Sequence, residues 1–173
     1  MVVDGVTVHV SPRQLELLCI LALHPEGLSL DELTCFAHGD HPVRPATVKA
    51  ELSHLRNRLG GRIGSRPYRL VGTVTADVVE LVAALEAGDV ATAVDRYRGP
   101  LLPMSEAPEL REWRTRIDVA VRDAAICRGD PDLLFELSGR CPYDTALHEA
   151  ALAALPPDDL RASVLAGRLA ASD

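Results

Sequence analysis

Lys49, Ser53 and Asn57 follow one another at four-residue intervals in "TVKAELSHLRNRLGG", which runs from Thr47 to Gly61. On a helix that spacing places all three on one face. Each can read the edge of a nucleic-acid base. An Asn amide pairs bidentately with adenine, a Lys ammonium reaches the guanine acceptors, and a Ser hydroxyl serves several bases. His54 stands beside them, and Thr47 near the start can hydrogen-bond a phosphate. Arg56 and Arg58 fall on the flanks, and Arg62, Arg66 and Arg69 follow in "RIGSRPYRL". Cations at those places suit phosphate contacts or minor-groove insertion rather than major-groove readout. From Arg44 to Arg69 there are seven basic residues against one acid, Glu51.

A helix must present this face. Val48, Leu52, Leu55 and Leu59 fall at i, i+4, i+7 and i+11, an apolar stripe that points inward. The opposite face then holds Ala46, Ala50, Ser53 and Asn57, small enough for a close backbone approach. Gly60-Gly61 stops the helix. Two helices precede it. In "SPRQLELLCILALHP", Ser11 caps, Pro12 suits the first turn, and Leu15, Leu18, Cys19 and Ala22 mark the inward face. In "LSLDELTCFAHG", Ser29 and Glu32 form a capping box, and Leu30, Leu33 and Ala37 face inward. "VVDGVTVHV" predicts a short strand pair turning at Asp4-Gly5, and "RIGSRPYRLVG" a hairpin around Gly64-Ser65. Three helices followed by a hairpin is the winged helix-turn-helix order, in which the third helix enters the major groove.

The basic stretch sits in an acidic chain. The formal net charge is -7, and from Thr73 onward ten Lys or Arg face eighteen Asp or Glu, a net of -8. A basic island beside an acidic body is the footprint of a nucleic-acid binder with a separate partner-facing part. The length of 173 residues suits one large or two small domains. No apolar run approaches a membrane span and the N-terminus lacks a signal-peptide pattern, so a cytoplasmic, membrane-free protein is expected. Cys19, Cys35, Cys127 and Cys141 are widely spaced and predict buried thiols rather than a disulfide framework.

After Gly72 the pattern predicts helices only. "TADVVELVAALEAGD" and "VATAVDRYRG" form a pair joined at Gly88-Asp89. "ELREWRTRIDVAVRDAAICRGD" is a longer helix with Leu110, Trp113, Ile117, Ala120, Val121 and Ala124 inward. Three further helical segments complete an array of tetratricopeptide-like pairs without the full repeat signature. The loop "GPLLPMSEAP" is expected to pack on the first of these pairs, and Trp113 to anchor a core or interface.

Other chemistries find less support. Cys35, His38 and His41 have C-x2-H-x2-H spacing, but a metal needs a fourth ligand and the turn would be strained, so no metal or cofactor is expected. There is no Gly-rich phosphate loop, G-x-S-x-G elbow or H-E-x-x-H, so no enzyme is expected. Glu112, Asp118 and Asp123 interleave with Arg114, Arg116 and Arg122 as on a solvated helix face. His24, before Pro25, reads as an exposed helix end.

"LSLDEL…TVKAELSHLRNRLGGRIGSRPYRL" resembles the OmpR-type winged-helix output domain of response regulators. Thr47, Val48, Leu52, Leu55, Arg56 and Leu59 match the family's third helix, and Tyr68 and Leu70 match the end of its hairpin. Pro67 stands where the family carries Gly, only one short strand pair precedes Ser11, and no receiver domain is present. "ADVVELVAALEAGDVATAVDRYRGPLLP…REWRTRIDVAVRDA" is similar to a shortened bacterial transcriptional activator domain, found behind such readers in actinobacterial antibiotic regulatory proteins. The resemblance implies a regulator, or the output half of a longer sensor-regulator.

The expected fold is mainly α: a winged helix-turn-helix over residues 1–72 and a helical domain over 73–173. The expected function is sequence-specific binding of double-stranded DNA for transcription regulation. RNA polymerase, an N-terminal sensor domain and a second copy of the chain are the partners considered for the acidic helical part. The competing expectation is a protein-interaction module whose winged helix no longer binds DNA.

Overall fold

Ser11 opens the first helix by accepting from the Gln14 amide at 3.2 Å, while Gln14 Oε1 accepts from the Ser11 amide at 3.1 Å. The computed structural model describes residues 2–3, 6–7, 9–72 and 75–170 and is mainly helical. Two short strands, β1 (Val2–Val3) and β2 (Val6–Thr7), pair antiparallel with Val2 opposite Thr7. The expected turn at Asp4-Gly5 lies outside the described residues. The helices are α1 (Pro12–Leu23), α2 (Leu30–His38), α3 (Pro45–Arg58), α4 (Asp77–Glu86), α5 (Val90–Arg96), α6 (Pro108–Arg128), α7 (Pro131–Arg140), α8 (Thr145–Ala154) and α9 (Arg161–Ala170). Among the described residues no helix is long and apolar enough to cross a membrane.

The chain divides into two compact units. The first comprises residues up to Ala76 together with Leu101–Arg114, and the second comprises Asp77–Pro100 and Thr115 onward. The dividing line therefore differs from a single cut after Gly72. Leu101 and Leu102 pack against the core of the first unit, and Ala107 and Leu110 are buried within it. Hydrophobic burial ignores sequence distance, so a segment goes where its apolar side chains leave water. The "PLLPMSEAP" segment belongs here, and the expected packing on the α4–α5 pair is not what is found.

In the first unit α1 packs on α2 and α3, and α2 packs on α3. The core holds Leu17, Leu18, Ile20 and Leu21 of α1, Leu33 and Ala37 of α2, and Val48, Leu52 and Leu55 of α3. The α1 face thus differs from expectation: Leu15 is 38% exposed and Cys19 and Ala22 are half-buried, while Leu17 and Ile20 are fully buried. The run "LELLCILAL" is apolar on most sides, so the wheel alone does not choose an orientation; contact with α2 and α3 does. In α3 the polar remainder leaves one choice, and the predicted stripe is the buried one. Each of its leucines contributes roughly 1.5–3 kcal/mol of burial.

Polar ties fasten the 101–114 segment within this unit. The Ser105 hydroxyl donates to Glu16 Oε1 at 2.6 Å. Arg114 donates to the carbonyls of Leu101 at 2.6 Å, Leu102 at 2.5 Å and Ser105 at 3.0 Å, rather than pairing with an acid on a solvated face. His24 is half-buried rather than exposed: Nε2 lies 2.9 Å from Glu109 Oε1, which also accepts from Trp113 Nε1 at 2.9 Å.

In the second unit α4 packs on α5, α5 on α7, α7 on α8 and α8 on α9. Asp89, Asp130 and Asp144 cap α5, α7 and α8 by accepting from helix amides. Ile117, Val121 and Ala125 of α6 are buried, whereas Ala120 is exposed and Ala124 only half-buried. Tyr97 is buried and its hydroxyl donates to Asp118 at 2.9 Å. Burial first, then this bond, pushes the phenol well above its usual range. The four cysteines are free, but none is fully buried as expected: Cys35 and Cys127 are exposed, and Cys19 and Cys141 are half-buried.

Candidate nucleic-acid interface

Leu52 and its neighbours on the stripe orient α3, so the residues opposite them must face water. Thr47, Lys49, Ala50, Ser53, His54, Asn57 and Arg58 are all exposed. Glu51, the acid of this helix, lies 3.8 Å from Arg13 of α1, so its charge is partly offset there. The outward face of α3 is consequently small, polar and cationic.

Behind α3 the chain turns at Gly60 and Gly61, both at positive φ, and Leu59 and Ile63 are buried. Residues 62–71 then double back. The Gly64 amide donates to the Arg69 carbonyl at 2.8 Å, and the Val71 amide to the Arg62 carbonyl at 2.9 Å. Only isolated antiparallel bridges form, Ile63 to Leu70 and Leu28 to Tyr68, so the expected hairpin has no ladder strands of its own among the described residues. Tyr68 and Leu28 exchange both backbone bonds at 2.8 Å, which ties this loop to the α1–α2 connection.

Pro67 fits through Gly27. A Cβ at Gly27 would lie 2.7 Å from Pro67 Cγ, and Gly27 has φ +91. Both facts demand glycine there. The residue that departs from the resemblance is accommodated by a glycine far upstream in the chain.

The structure brings together Lys49, Ser53 and Arg56 of α3 with Arg66 of the loop. They line a cleft of about 340 Å³ with Leu52, Ser65 and Tyr68. Thr47, His54 and Asn57 lie elsewhere on α3, and Arg62 and Arg69 lie on the loop, all exposed and outside the cleft lining. Arg58 donates to the His9 carbonyl at 2.7 Å and to Gln14 Oε1 at 3.1 Å. Arg56 donates Nε to the Ile63 carbonyl at 2.6 Å and Nη2 to the Gly64 carbonyl at 3.1 Å. Both arginines therefore hold the fold together in a way that helix-wheel reasoning does not assign. Ser65 is a lining residue that sequence reasoning misses. It meets α3 only through the chain reversal, which leaves no local periodic signal.

The Cys35, His38 and His41 group is not assembled. His38 Nε2 lies 2.5 Å from Arg13 Nη2, and Cys35 is exposed. Among the described residues no three His, Cys, Asp or Glu side chains are gathered to hold a metal ion. Burial first, then the Arg13 charge, holds the His38 imidazole below its usual range.

The chain is similar to the "uncharacterized 47.3 kDa protein in thcA 5′ region" of Rhodococcus erythropolis. The two are 38% identical over 156 residues, which cover 88% of this chain and 36% of that protein. The chain thus spans just over a third of its relative's length, at 36%. No family model matches the chain, and no solved structure matches it.

Proposed function

We propose that the protein is a sequence-specific, double-stranded DNA-binding transcriptional regulator. The observation that carries this reading is the outward face of α3. It is exposed, small and polar, it bears Lys49, Ser53 and Asn57, and it is backed by the cationic loop at 62–71. On this reading α3 lies in the major groove, with Lys49, Ser53 and Asn57 at base edges. Thr47, Arg62, Arg66 and Arg69 lie along phosphates, and the 62–71 loop acts as the wing. Arg56 and Arg58 serve phosphates only with the donors they have left. The OmpR-type resemblance supports this arrangement, and the activator-domain resemblance supports a regulatory second unit that meets RNA polymerase, a sensor domain or a second copy. The activity of a longer protein of the relative's size belongs to this proposal as well.

A second reading draws on Arg56 and Arg58. Their intramolecular bonds reduce the cations available to phosphate, as in a protein-interaction module that no longer binds DNA. Selection from a random duplex library at low salt separates the two. A reproducible motif supports the first reading, with Asn57→Ala or Ser53→Ala costing about 1–3 kcal/mol at particular base pairs. No enrichment above input overturns it and favours the second.

A further inference from the structure

Lysine occurs once in this chain, at position 49, and the other seventeen of its eighteen basic side chains are arginines. Reading a guanine does not call for the exception, because arginine serves the same acceptors. What lysine has and arginine lacks is an amine that becomes a nucleophile on losing a proton. We infer that Lys49 is an acylation site, taking a short acyl group from a thioester, and that the modification switches off the reading face of α3. The inference deepens the DNA-binding proposal and rests on it for the consequence of acylation, though not for the chemistry of the site.

Access comes first. Lys49 is exposed, and no carboxylate lines its cleft to hold the amine. The donors around it come second. Acyl transfer passes through a tetrahedral oxyanion, and hydrogen-bond donors placed at that oxygen lower the barrier. The cleft supplies them beside the amine: the guanidinium groups of Arg56 and Arg66 and the hydroxyls of Ser65 and Tyr68. Arg56 is positioned in advance by the Ile63 and Gly64 carbonyls, so its remaining N–H groups need little ordering to meet an oxyanion. The loop residues are set by the paired Tyr68 and Leu28 backbones. A volume of about 340 Å³ is at the low end for ligand sites, which suits a short acyl group.

In the step an ammonium proton of Lys49 passes to solvent and Nζ attacks the thioester carbonyl. The C–N bond forms as the C–S bond breaks, and the thiolate leaves and takes up a proton. The product amide has no charge and keeps one N–H, so the ammonium that would meet guanine is gone. DNA in the major groove covers the same amine, so binding and acylation exclude one another.

The test treats the full chain with S-acetyl-N-acetylcysteamine, a thioester without phosphate groups. An added thiol removes acetyl groups from the exposed Cys35 and Cys127, and peptide mapping by mass spectrometry then follows acetyl-Lys49. Lys49 of the folded chain should react roughly tenfold or more faster than the same lysine in a synthetic peptide spanning residues 45–59. Arg66→Ala, folded by circular dichroism, should lose most of that advantage. Acetylation should lower affinity for the selected motif roughly tenfold or more. The affinity of Lys49→Arg, whatever its own value, should not respond to the thioester. Excess motif duplex should protect Lys49.

A folded-chain rate equal to the peptide's, or unmoved by Arg66→Ala, overturns the site and leaves the DNA-binding proposal standing. Fast acetylation of a chain that selects no motif overturns the DNA-binding proposal and leaves the site standing. Fast acetylation that leaves motif affinity unchanged overturns the switch.

Discussion

Arg56 Nε donates to the Ile63 carbonyl at 2.6 Å, bonding the side of α3 to the first residues of the loop behind it. A charged side chain that lines the cleft is thereby also a strut. Arg56→Lys separates the two roles, because an ammonium keeps the charge but cannot serve two carbonyls with a planar fork. The expected outcome is an unchanged salt slope of DNA binding with stability lower by about 1–2 kcal/mol, read by urea unfolding. Arg56→Ala should lose both. A lysine variant with unchanged stability would show that the strut contributes nothing.

Gly27 and Gly60 are both at positive φ, but only Gly27 faces a neighbour. Gly27→Ala must accept left-handed strain and a contact of 2.7 Å with Pro67, whereas a Cβ at Gly60 meets nothing within 4 Å. Gly27→Ala should therefore cost about 2–4 kcal/mol, combining strain and overpacking. Gly60→Ala should cost about 1–2 kcal/mol from strain alone. Equal losses in thermal unfolding would show that the Pro67 contact relaxes freely.

Leu110 is fully buried in the same core as α1, α2 and α3 although it lies far from them in sequence. Leu110→Ala should cost about 2–5 kcal/mol. Faster hydrogen exchange should appear in α1–α3. A polypeptide ending at Gly72 should show weaker protection there than the full chain. Undiminished protection in that fragment would mean that residues 101–114 are not needed to complete the first unit.

His38 supplies a pH dependence. Its folded pKa is depressed, by burial first and by Arg13 next, so the unfolded chain binds the proton more readily. Stability is then full above the ordinary histidine range and declines as pH falls from about 6.5 toward the folded value. Lowering the pH from about 7.5 to about 5.5 should reduce the Tm of the wild type more than that of His38→Gln. Parallel Tm profiles for the two proteins would dismiss His38 as the titrating group.

Much of this protein is set by local pattern. Ser11 and Ser29 can cap only the helix directly after each of them, and both capping boxes are formed. Val48, Leu52, Leu55 and Leu59 sit in an otherwise polar segment, so burial of that stripe decides which residues α3 shows to solvent. The exposed Lys49, Ser53 and Asn57 are legible for this reason: a 3.6-residue period with contrasting faces admits one orientation.

Where contrast or proximity in sequence is lacking, tertiary structure decides. The apolar run of α1 accepts several orientations, and contact with α2 and α3 chooses Leu17 and Ile20 over Leu15. Leu101–Arg114 joins the first unit because its apolar side chains and Ser105 find partners there, which no periodicity encodes. The cleft also depends on distance in sequence. Ser65, Arg66 and Tyr68 meet Lys49, Ser53 and Arg56 only because the Gly60-Gly61 turn and the Leu28–Tyr68 backbone pair fold the loop back. The sequence by itself thus determined the helices, their caps and the face of α3. Only the tertiary structure decided what stands against that face, because packing and long-range hydrogen bonds act between residues that no local period relates.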